Sequence, residues 1–464
     1  MPKARTAGVP FLIPTDRPPA RELLFAHIRT TFGTLAGFYG FNAMHVAPLL
    51  EASTLSPLAK AGLLEEVSPV TAKTKTGEDF ILRPSTVLLI LAAYGPYKMN
   101  DLPHPLKVSC GGEVFSLGTG VEGRLKTTSE EGIVMIGEEG PIAEAEIVQV
   151  LWRALQEFGA SAERVRMEVS ATGCTQCRAG FRSSFNAHFR TRLARLCTAC
   201  KRRFKKNPTQ ILTCTEEKCA ALSATAPSIL DFLCEPCKKH LRGFLEFLDE
   251  IGISYFLDAK YFREGSWYHQ LIFRIVTNDA EISLPEAEGV ADGMVADAPT
   301  DVPTVAPTGS AVTRLRGMVL AEGGRVSKAG ELLVGRRLDA VAGVLNPENI
   351  ERARHAWKLP DPEPPVPHIF LAQLGEYAKR KSMNIFELLR REGIPVRESL
   401  GRDSLKSQLT VAAKIGARMA LILGQKEAID GTVIVREVES GIQETVPQEK
   451  LIDLLRRYLK KNGE

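Results

Sequence analysis

A chain of 464 residues with 44% hydrophobic and 25% charged residues has the composition of an ordinary soluble globular protein, and its length suggests roughly two to four domains. Its longest apolar run, residues 87–93, is far shorter than the roughly 20 residues that cross a bilayer, so no membrane span is predicted. A net charge of only +4 excludes a protein that binds nucleic acid over its whole surface.

The charge is nevertheless uneven along the chain. Lys and Arg are dense in a cysteine-rich stretch and in the C-terminal region, whereas residues 283–312 contain five acidic residues and no basic one. Local basic faces on a nearly neutral protein indicate a nucleic acid that is bound at defined places. Solvated surface charge is the alternative explanation for any single basic run.

Hydrophobic periodicity predicts alternating helices and strands before the cysteines. Apolar residues at helical spacing predict core-facing helices over 19–40, ending at Gly40, and over 141–158. The other predicted elements are, in chain order, a strand over 41–51, a short strand followed by a helix from Thr86 within 79–94, two antiparallel strands over 106–115 and 132–137, and a strand over 166–170.

Strands return beyond the cysteines, over 255–257, 268–276 and 313–321, followed by a helix over 331–344. Residues 283–312 are rich in Ala, Pro, Val, Thr and Gly without periodicity, which predicts a disordered loop. Five prolines within 360–367 predict a stiff extended linker. A compact α/β unit is predicted beyond it, with strands over 368–373, 394–399, 417–423, 431–437 and 441–446 and helices over 374–392, 404–415 and 447–461.

Eight of the nine cysteines form four close pairs, which are Cys174/Cys177, Cys197/Cys200, Cys214/Cys219 and Cys234/Cys237. A tight turn with two cysteines supplies half of a tetrahedral zinc site, so the eight thiolates suffice for one or two structural zinc ions, with the pairing left open. A disulfide framework is disfavoured because the chain lacks a secretory apolar segment and is expected to be cytoplasmic, where thiols stay reduced. Cys110 is expected to be a small buried residue, and His240 a surface histidine rather than a zinc ligand.

Several motifs resemble one known family. The C-terminal segments are HIFLAQ (368–373), GRDSLKSQ (401–408), LILGQKE (421–427) and SGIQETV (440–446), and the cysteine-rich stretch contains CKRRFKKNPTQILTC (200–214) and APSILDFLCEPC (226–237). These motifs and the order of elements resemble a bacterial histidyl-tRNA synthetase, a class II aminoacyl-tRNA synthetase, over nearly the whole chain. The resemblance implies an α/β (α+β) fold with an antiparallel sheet core at 1–170 and 251–358, a zinc-binding insertion at 171–250, a Pro-rich linker at 359–366 and an anticodon-binding domain at 367–464.

The resemblance and the local chemistry both predict tRNA contacts. Ser404 is placed to cap a helix that would present Lys406 and Gln408, and the turn at 424–427 offers a cation and amide donors to unstacked bases. Basic residues beside the cysteines are suited to phosphates. The predicted tRNA-binding residues are Lys201, Arg202, Arg203, Lys406, Gln408, Gln425, Glu427, Arg436 and Gln443.

The catalytic motifs of the family are degraded in this chain. Residues 47–51 (APLLE) resemble the first class motif, a dimer-interface element. The family sequence Leu-Arg-Pro-Glu-Gly-Thr, whose acid and threonine hold the substrate amine, is LRPSTV (82–87) here, so Ser85 replaces the carboxylate and Val87 the threonine. In the second class motif, Ser116 replaces the arginine that clamps the α-phosphate, and Gly118 replaces the acid that binds adenine.

The two histidine signatures retain only part of their residues. The first is REGSWY (263–268), in which Ser266 stands for the aspartate, and the second is reduced to EGGRVS (322–327). No arginine matches the third class motif. The remnants of the catalytic site are Arg83, Arg124, Arg263, Tyr268 and Arg325.

Losing one charged clamp on a phosphate typically costs about 10²–10³ in rate, and at least four anchors are absent here. The leading hypothesis is therefore a tRNA-binding synthetase paralogue that forms a homodimer, or a heterodimer with an active synthetase, and binds neither membrane nor DNA. The alternative is an active histidine–tRNA ligase, which would use ATP and Mg²⁺. A regulatory synthetase-like subunit of histidine biosynthesis and a decaying gene product are further interpretations.

Overall fold

A computed structural model describes residues 20–64, 67–117, 125–214, 216–262, 267–278, 317–362, 368–399 and 401–461. The chain divides into two compact units with a boundary at residues 361/362. None of the helices in the described residues combines the length and the apolarity that crossing a lipid bilayer requires.

The larger unit contains ten α-helices and eleven strands within its described residues. The helices are α1 (Ala20–Phe38), α2 (Ser56–Lys60), α3 (Thr86–Ala93), α4 (Ile142–Glu157), α5 (Thr175–Arg190), α6 (Thr198–Lys206), α7 (Glu217–Ala224), α8 (Glu235–Glu250), α9 (Ser327–Val334) and α10 (Pro347–Ala356). The strands are β1 (Asn42–Ala43), β2 (Leu49–Glu51), β3 (Thr71–Lys73), β4 (Asp79–Leu82), β5 (Leu106–Leu117), β6 (Leu125–Ile136), β7 (Val165–Gly173), β8 (Tyr255–Leu257), β9 (His269–Thr277), β10 (Val319–Arg325) and β11 (Ala340–Leu345).

Eight of these strands form one sheet in the order β1-β5-β6-β11-β10-β9-β7-β8. Its central pairs are antiparallel, and only the two edge pairs are parallel. Successive side chains of a strand alternate between faces, so Ile133 and Met135 pack with α1, α4, α8 and α10, whereas Val134 and Ile136 pack with α3 and α9. The second of these faces is called the α3 face. Helices on both sides explain why the centre of the sheet is apolar on both faces.

The structure confirms some predicted elements of this unit and corrects others. Strands β5 and β6 are antiparallel as predicted, but β6 begins at Leu125 and not at residue 132. The earlier start was missed because the first half of β6 is polar and exposed or half-buried, so it gives no apolar signal. The predicted helix over 331–344 is confirmed only over 331–334, where α9 lies, and is wrong beyond it. Gly335, with φ of +76°, ends α9, and the small apolar residues that follow form the buried strand β11. The predicted strand over 41–51 is two short strands, and the predicted loop over 283–312 lies outside the described residues.

The smaller unit is a mixed α/β layer structure. Its elements are β12 (Ile369–Gln373), α11 (Glu376–Arg391), β13 (Val396–Glu398), α12 (Leu405–Lys414), β14 (Met419–Leu423), α13 (Gln425–Asp430), β15 (Thr432–Glu437), β16 (Gln443–Pro447) and α14 (Gln448–Lys461). The sheet order is β13-β12-β14-β15-β16, with β12, β13 and β14 parallel and the rest antiparallel. Every residue of β12 and β14 is buried, because helices cover both faces. This confirms the α/β unit predicted from the sequence, and α13 is the element that the sequence did not predict.

Candidate functional site

The first turn of α3 contacts a carboxylate from strand β6. Ser85 caps α3, because its hydroxyl accepts a hydrogen bond from the Val87 amide at 3.2 Å. The Ser85 hydroxyl donates to Glu130 Oε1 at 3.1 Å, the Thr86 amide donates to the same oxygen at 2.6 Å, and the Thr86 hydroxyl is a third donor. Burial raises the pKa of Glu130, although these donors act in the opposite direction. A carboxylate from β6 thus lies beside the position where the resemblance expects an acid at residue 85.

Arg83 is a buried side chain bound to main-chain acceptors. Its Nε donates to the carbonyl of Glu113 at 2.6 Å, and a terminal nitrogen donates to the carbonyl of Val46 at 3.3 Å. A Cβ at Gly112 would lie 2.4 Å from the other terminal nitrogen, so the guanidinium is packed against strand β5. Arg83 therefore joins neighbouring segments of the backbone.

Arg325 lies in a buried ion pair with Glu144 of α4. Two parallel hydrogen bonds join them, Nε to Oε1 at 2.8 Å and a terminal nitrogen to Oε2 at 2.9 Å, and both side chains are at most 2% exposed. His240 of α8 adds a contact of 2.9 Å to the same carboxylate. Burial acts to raise the pKa of Glu144, but His240 and Arg325 together hold it below its ordinary value. The prediction that His240 is a surface residue is wrong, because its side chain is only 13% exposed.

His269 is the strand partner of Arg325 in the pairing of β9 with β10. Its Nδ1 is buried and has no hydrogen-bond partner among the described residues. Burial, together with the positive charges of Arg325 and Arg178, lowers the pKa of His269 to about 4. This histidine is therefore neutral in the folded protein near pH 7.

Charged side chains of three neighbouring strands, β10, β9 and β7, form a row on the α3 face. Arg274 of β9 is paired in register with Glu322 on one side and with Glu168 on the other. Its Nε donates to Glu168 at 2.6 Å, a terminal nitrogen donates to Asp258 at 3.2 Å, and the guanidinium lies 4.1 Å from the ring centre of Tyr261. The row thus contains a cation that is already neutralised by two neighbouring acids.

The eight paired cysteines lie in two separate clusters. The outer cluster is Cys174, Cys177, Cys234 and Cys237, and the inner cluster is Cys197, Cys200, Cys214 and Cys219. Within each cluster the four sulfurs lie within 4.8 Å of one another, and the distances include 3.5 Å for Cys174 to Cys177 and 3.8 Å for Cys174 to Cys234. Four sulfurs about 2.3 Å from one zinc ion are about 3.8 Å apart. Each cluster therefore has the ligand set and spacing for one metal ion, and His240 belongs to neither.

The cysteines lie at the starts of helices, where amide donors favour thiolates. Cys174, Cys197 and Cys234 are the N-cap residues of α5, α6 and α8. The amide of Cys200 is the main cause that lowers the pKa of Cys197 to about 7, and the thiolate is the form that binds a metal. Cys110, by contrast, is buried on β5, as predicted, and burial raises its pKa.

A basic stretch surrounds the inner cluster. Residues 171–215 contain ten Lys and Arg residues and no Asp or Glu. The described members that are exposed are Arg182, Arg190, Arg195, Lys201, Arg202, Arg203 and Lys205. Positive charge that is concentrated in a stretch with no Asp or Glu of its own attracts phosphates over a wide area, so this surface is suited to a nucleic-acid backbone.

The predicted tRNA-binding residues of the smaller unit differ in their exposure. Lys406, Gln425 and Gln443 are exposed, and Arg436 is half-buried and donates to Gln443 at 3.2 Å. The Glu427 carboxylate accepts from the Gly424 amide at 3.1 Å, which caps α13.

Gln408 has a different environment from the other predicted contacts. It is fully buried in α12, and its amide nitrogen donates to the carbonyls of Gln373 and Arg402 at 2.8 and 2.9 Å. The Gln408 amide oxygen accepts from the Gln373 amide at 3.0 Å. In this structure the Gln408 side chain joins α12 to β12 and is not presented to solvent.

Two of the catalytic remnants, Arg124 and Arg263, lie outside the described residues. Tyr268 is buried in the core of the α3 face. The sequence did not point to Glu144 or Arg274, because no motif marks them. Glu130 was matched only as the last residue of TTSE (127–130), which aligns with the end of the second class motif, and no role was predicted for it. A weak signal was available for Glu144, which is the lone acid on the apolar side of the predicted helix over 141–158.

Comparisons with known proteins agree with this architecture. Residues 368–458 match the family model described as an anticodon binding domain. The histidine–tRNA ligase of Desulforudis audaxviator is 29% identical over 460 residues, which cover 98% of each chain. The apo histidyl-tRNA synthetase of S. aureus superposes with a TM-score of 0.66 at 20% identity, over 95% of this chain and 97% of that one. This chain is a histidyl-tRNA synthetase-like protein of class II.

A further solved structure has the same fold. It is described as an ATP phosphoribosyltransferase regulatory subunit/histidyl-tRNA synthetase from Bacillus halodurans, and it matches with a TM-score of 0.56 at 13% identity over 91% of this chain and 99% of that one. The predicted class II synthetase-like fold with a C-terminal anticodon-binding domain is thereby confirmed.

Proposed function

We propose that this synthetase-like protein binds tRNA, histidine tRNA in particular, and no longer forms an aminoacyl-adenylate. The loss of adenylate formation is inferred from the partners of the arginines that this chain retains. Within the described residues, Arg83 donates to main-chain carbonyls and Arg325 to Glu144, so neither guanidinium is available to a nucleotide phosphate. Arg274 on the α3 face is likewise neutralised by Glu168 and Asp258.

The residues that replace the expected anchors support the same proposal. Ser85 caps a helix, and Val87 is buried in the core. Ser116 has a hydroxyl in place of the arginine guanidinium that the resemblance expects. A hydroxyl cannot neutralise the charge that develops on a transferring phosphate, and each lost clamp typically costs about 10²–10³ in rate. Combined losses at one site are not additive, but they leave little of the adenylate chemistry.

Binding of tRNA is supported by two separate features. The smaller unit presents Lys406, Gln425 and Gln443 to solvent on an anticodon-binding-type fold, and the larger unit carries the exposed basic residues of α6. Single-stranded bases are read by amide and cation donors, whereas phosphates require only positive charge. The first surface is therefore assigned to anticodon bases and the second to the RNA backbone.

Structural zinc and a dimer complete the proposal. The two cysteine clusters supply the ligands for zinc. Phe38 at the end of α1 and Leu49 in β2 are 83% and 44% exposed, and exposed large apolar residues are typical of protein interfaces. The partner would be a second copy of this chain or an active synthetase.

An active histidine–tRNA ligase is the second candidate, and Glu130 is the observation that favours it. Its carboxylate lies 3.1 Å from the Ser85 hydroxyl, so an acid is present near the place where the family binds the substrate amine. A regulatory subunit is a third candidate because of the similarity to the Bacillus halodurans protein, although this chain retains the match to the anticodon binding domain.

The deciding experiment measures histidine-dependent ATP–pyrophosphate exchange with the purified full-length chain, beside an active histidyl-tRNA synthetase as the positive control. The proposal expects no exchange above background, whereas robust exchange would establish the ligase. RNA that co-purifies with the chain is sequenced in parallel. Enrichment of histidine tRNA supports the proposal, and recovery of a phosphoribosyltransferase in place of tRNA would favour the regulatory subunit.

A charge-removal series tests the basic surface. The triple variant Lys201→Ala/Arg202→Ala/Arg203→Ala is compared with the control Arg153→Ala/Lys328→Ala/Arg337→Ala, whose three exposed cations lie outside the cysteine-rich stretch. Each lost phosphate contact makes the slope of log affinity against log salt shallower by about one. The first variant is expected to have a shallower slope, and the control is expected to keep the slope of the unaltered chain.

A further inference from the structure

The two cysteine clusters differ in what they connect. The outer cluster joins the ends of the cysteine-rich stretch, since Cys174 and Cys234 are separated by 60 positions in the chain. The inner cluster joins residues within the stretch, since Cys197 and Cys214 are separated by only 17 positions and their sulfurs are 3.9 Å apart. The inner pairs are therefore nested within the outer pairs.

The outer cluster is connected directly to the eight-stranded sheet. Cys174 follows β7 immediately, and Gly173, with φ of +60°, brings the backbone so close that a Cβ there would lie 2.6 Å from the Cβ of Cys177. The Cys234 amide donates to Cys177 Sγ at 3.2 Å, and α8 begins at the next residue. Farther along α8, His240 contacts Glu144 of α4, and Phe244 and Leu248 are buried in the core beneath the sheet.

The inner cluster organises a segment with no strand of its own. Cys197 and Cys200 lie at the start of α6, a helix of nine residues, and the Cys197 amide donates to Cys219 Sγ at 3.2 Å. Helices shorter than about 12 residues are marginal in water without tertiary support. The exposed cations Lys201, Arg202 and Arg203 lie on this helix, directly after Cys200. A metal ion bound by four thiolates supplies folding free energy to such a segment.

We propose that the chain binds two zinc ions with separate tasks, the outer ion fastening the cysteine-rich stretch to the sheet and the inner ion shaping the basic surface that binds RNA. The RNA part of this inference rests on the proposed function. Each ion is bound by four thiolates, whose protons are released to solvent when zinc binds. Sulfurs within 4.8 Å of one another enclose a single tetrahedral ion, and zinc is the metal that such all-sulfur sites commonly hold.

The first measurement is the metal content of the full chain and of three variants. The unaltered chain is expected to contain two zinc ions, and Cys237→Ser in the outer cluster and Cys214→Ser in the inner cluster are expected to contain one each. Cys110→Ala is the matched control and should retain two, because Cys110 belongs to neither cluster. A content of one zinc or none in the unaltered chain, or iron in place of zinc, would overturn the two-zinc assignment.

The second measurement separates the tasks of the two ions. Tryptophan fluorescence reports on the larger unit outside the cysteine-rich stretch, since the chain's three tryptophans are Trp152, Trp267 and Trp357. Cys214→Ser should keep the urea midpoint of this signal but bind tRNA at least tenfold more weakly and with a shallower salt slope. Cys237→Ser should lower the urea midpoint. Unchanged tRNA binding by Cys214→Ser, or equal effects of both variants on the midpoint, would refute the separate tasks.

A failure of the proposed tRNA binding and a failure of the two-zinc assignment would give different results. If the unaltered chain bound no tRNA, the proposed function would be wrong, yet the metal contents would still test the two sites. If either variant were too unstable to purify, stepwise removal of zinc from the unaltered chain by a chelator would replace it. Two resolved steps, with tRNA binding lost in only one of them, support the proposal, and a single concerted step contradicts it.

Discussion

Replacing Arg325 with methionine tests whether this arginine is structural or a remnant of a substrate site. In the structure Arg325 and Glu144 are joined by two hydrogen bonds of 2.8 and 2.9 Å in a place where both are at most 2% exposed. Arg325→Met would remove one partner and leave the Glu144 carboxylate buried with only His240 beside it. A side chain that served a substrate would instead tolerate its replacement with little change in stability.

The expected destabilisation follows from the burial of the pair. Removing one member of a buried ion pair typically costs about 3–5 kcal/mol, whereas an exposed pair contributes about 0–1 kcal/mol. The matched control is Lys328→Met, because Lys328 and Glu331 form an ion pair of 3.1 Å in which both side chains are 49% exposed. The double variant Arg325→Met/Glu144→Leu replaces both charges with apolar groups and should recover most of the loss.

The assay is urea unfolding at pH 7 followed by tryptophan fluorescence, because the chain's tryptophans lie between residues 152 and 357. The free energy of unfolding should fall by about 3–5 kcal/mol for Arg325→Met and by less than about 1 kcal/mol for the control. A loss below about 1 kcal/mol for Arg325→Met, or a double variant less stable than the single one, would refute the reasoning.

Three further predictions follow from buried groups. The pKa of His269 is about 4 in the folded protein against an ordinary value of 6.5, so only the unfolded state takes up this proton between those values. His269 should therefore lower stability by up to about 3 kcal/mol as the pH falls from 6.5 to 4, and His269→Leu should flatten that part of a pH series of urea midpoints. Gln408→Ala should destabilise the smaller unit by about 2–4 kcal/mol, because three buried hydrogen bonds are lost, whereas the exposed Gln425→Ala should change it by less than about 0.5 kcal/mol. Hydrogen exchange of peptides from 368–461 measures both, and equal protection would contradict the burial of Gln408. Gly324→Ala should cost about 3 kcal/mol or more, because a Cβ there would lie 2.4 Å from the Leu271 carbonyl at a φ of +154°, and Gly335→Ala, with nothing within 4 Å, should cost about 1 kcal/mol by the same urea assay.

The sequence predicted correctly those elements that depend on residues close together in the chain, such as helix caps and apolar strands. Ser404 caps α12 as predicted, accepting from the Ser407 amide at 3.2 Å, and the strands of the smaller unit follow the apolar runs. The helix predicted over 331–344 was wrong beyond residue 334 because a short apolar run fits a buried strand and a buried helix equally well. Gln408 was predicted to contact RNA, although it lies three and four positions from the inward-facing Leu405 and Ala412, a spacing that indicates the buried side of the helix.

The sequence by itself determined most of the order of elements, the four close pairs of cysteines, the basic character of the stretch around them and the absence of charged residues at positions 85 and 116. Only the tertiary structure decided that the first cysteine pair meets the fourth and the second meets the third, that Arg325 binds Glu144, and that Glu130 lies beside Ser85. The physical reason is distance along the chain. Spacing within a few residues is set by local backbone geometry, whereas partners 45, 60 or 181 positions apart are chosen by the packing of the whole sheet and its helices.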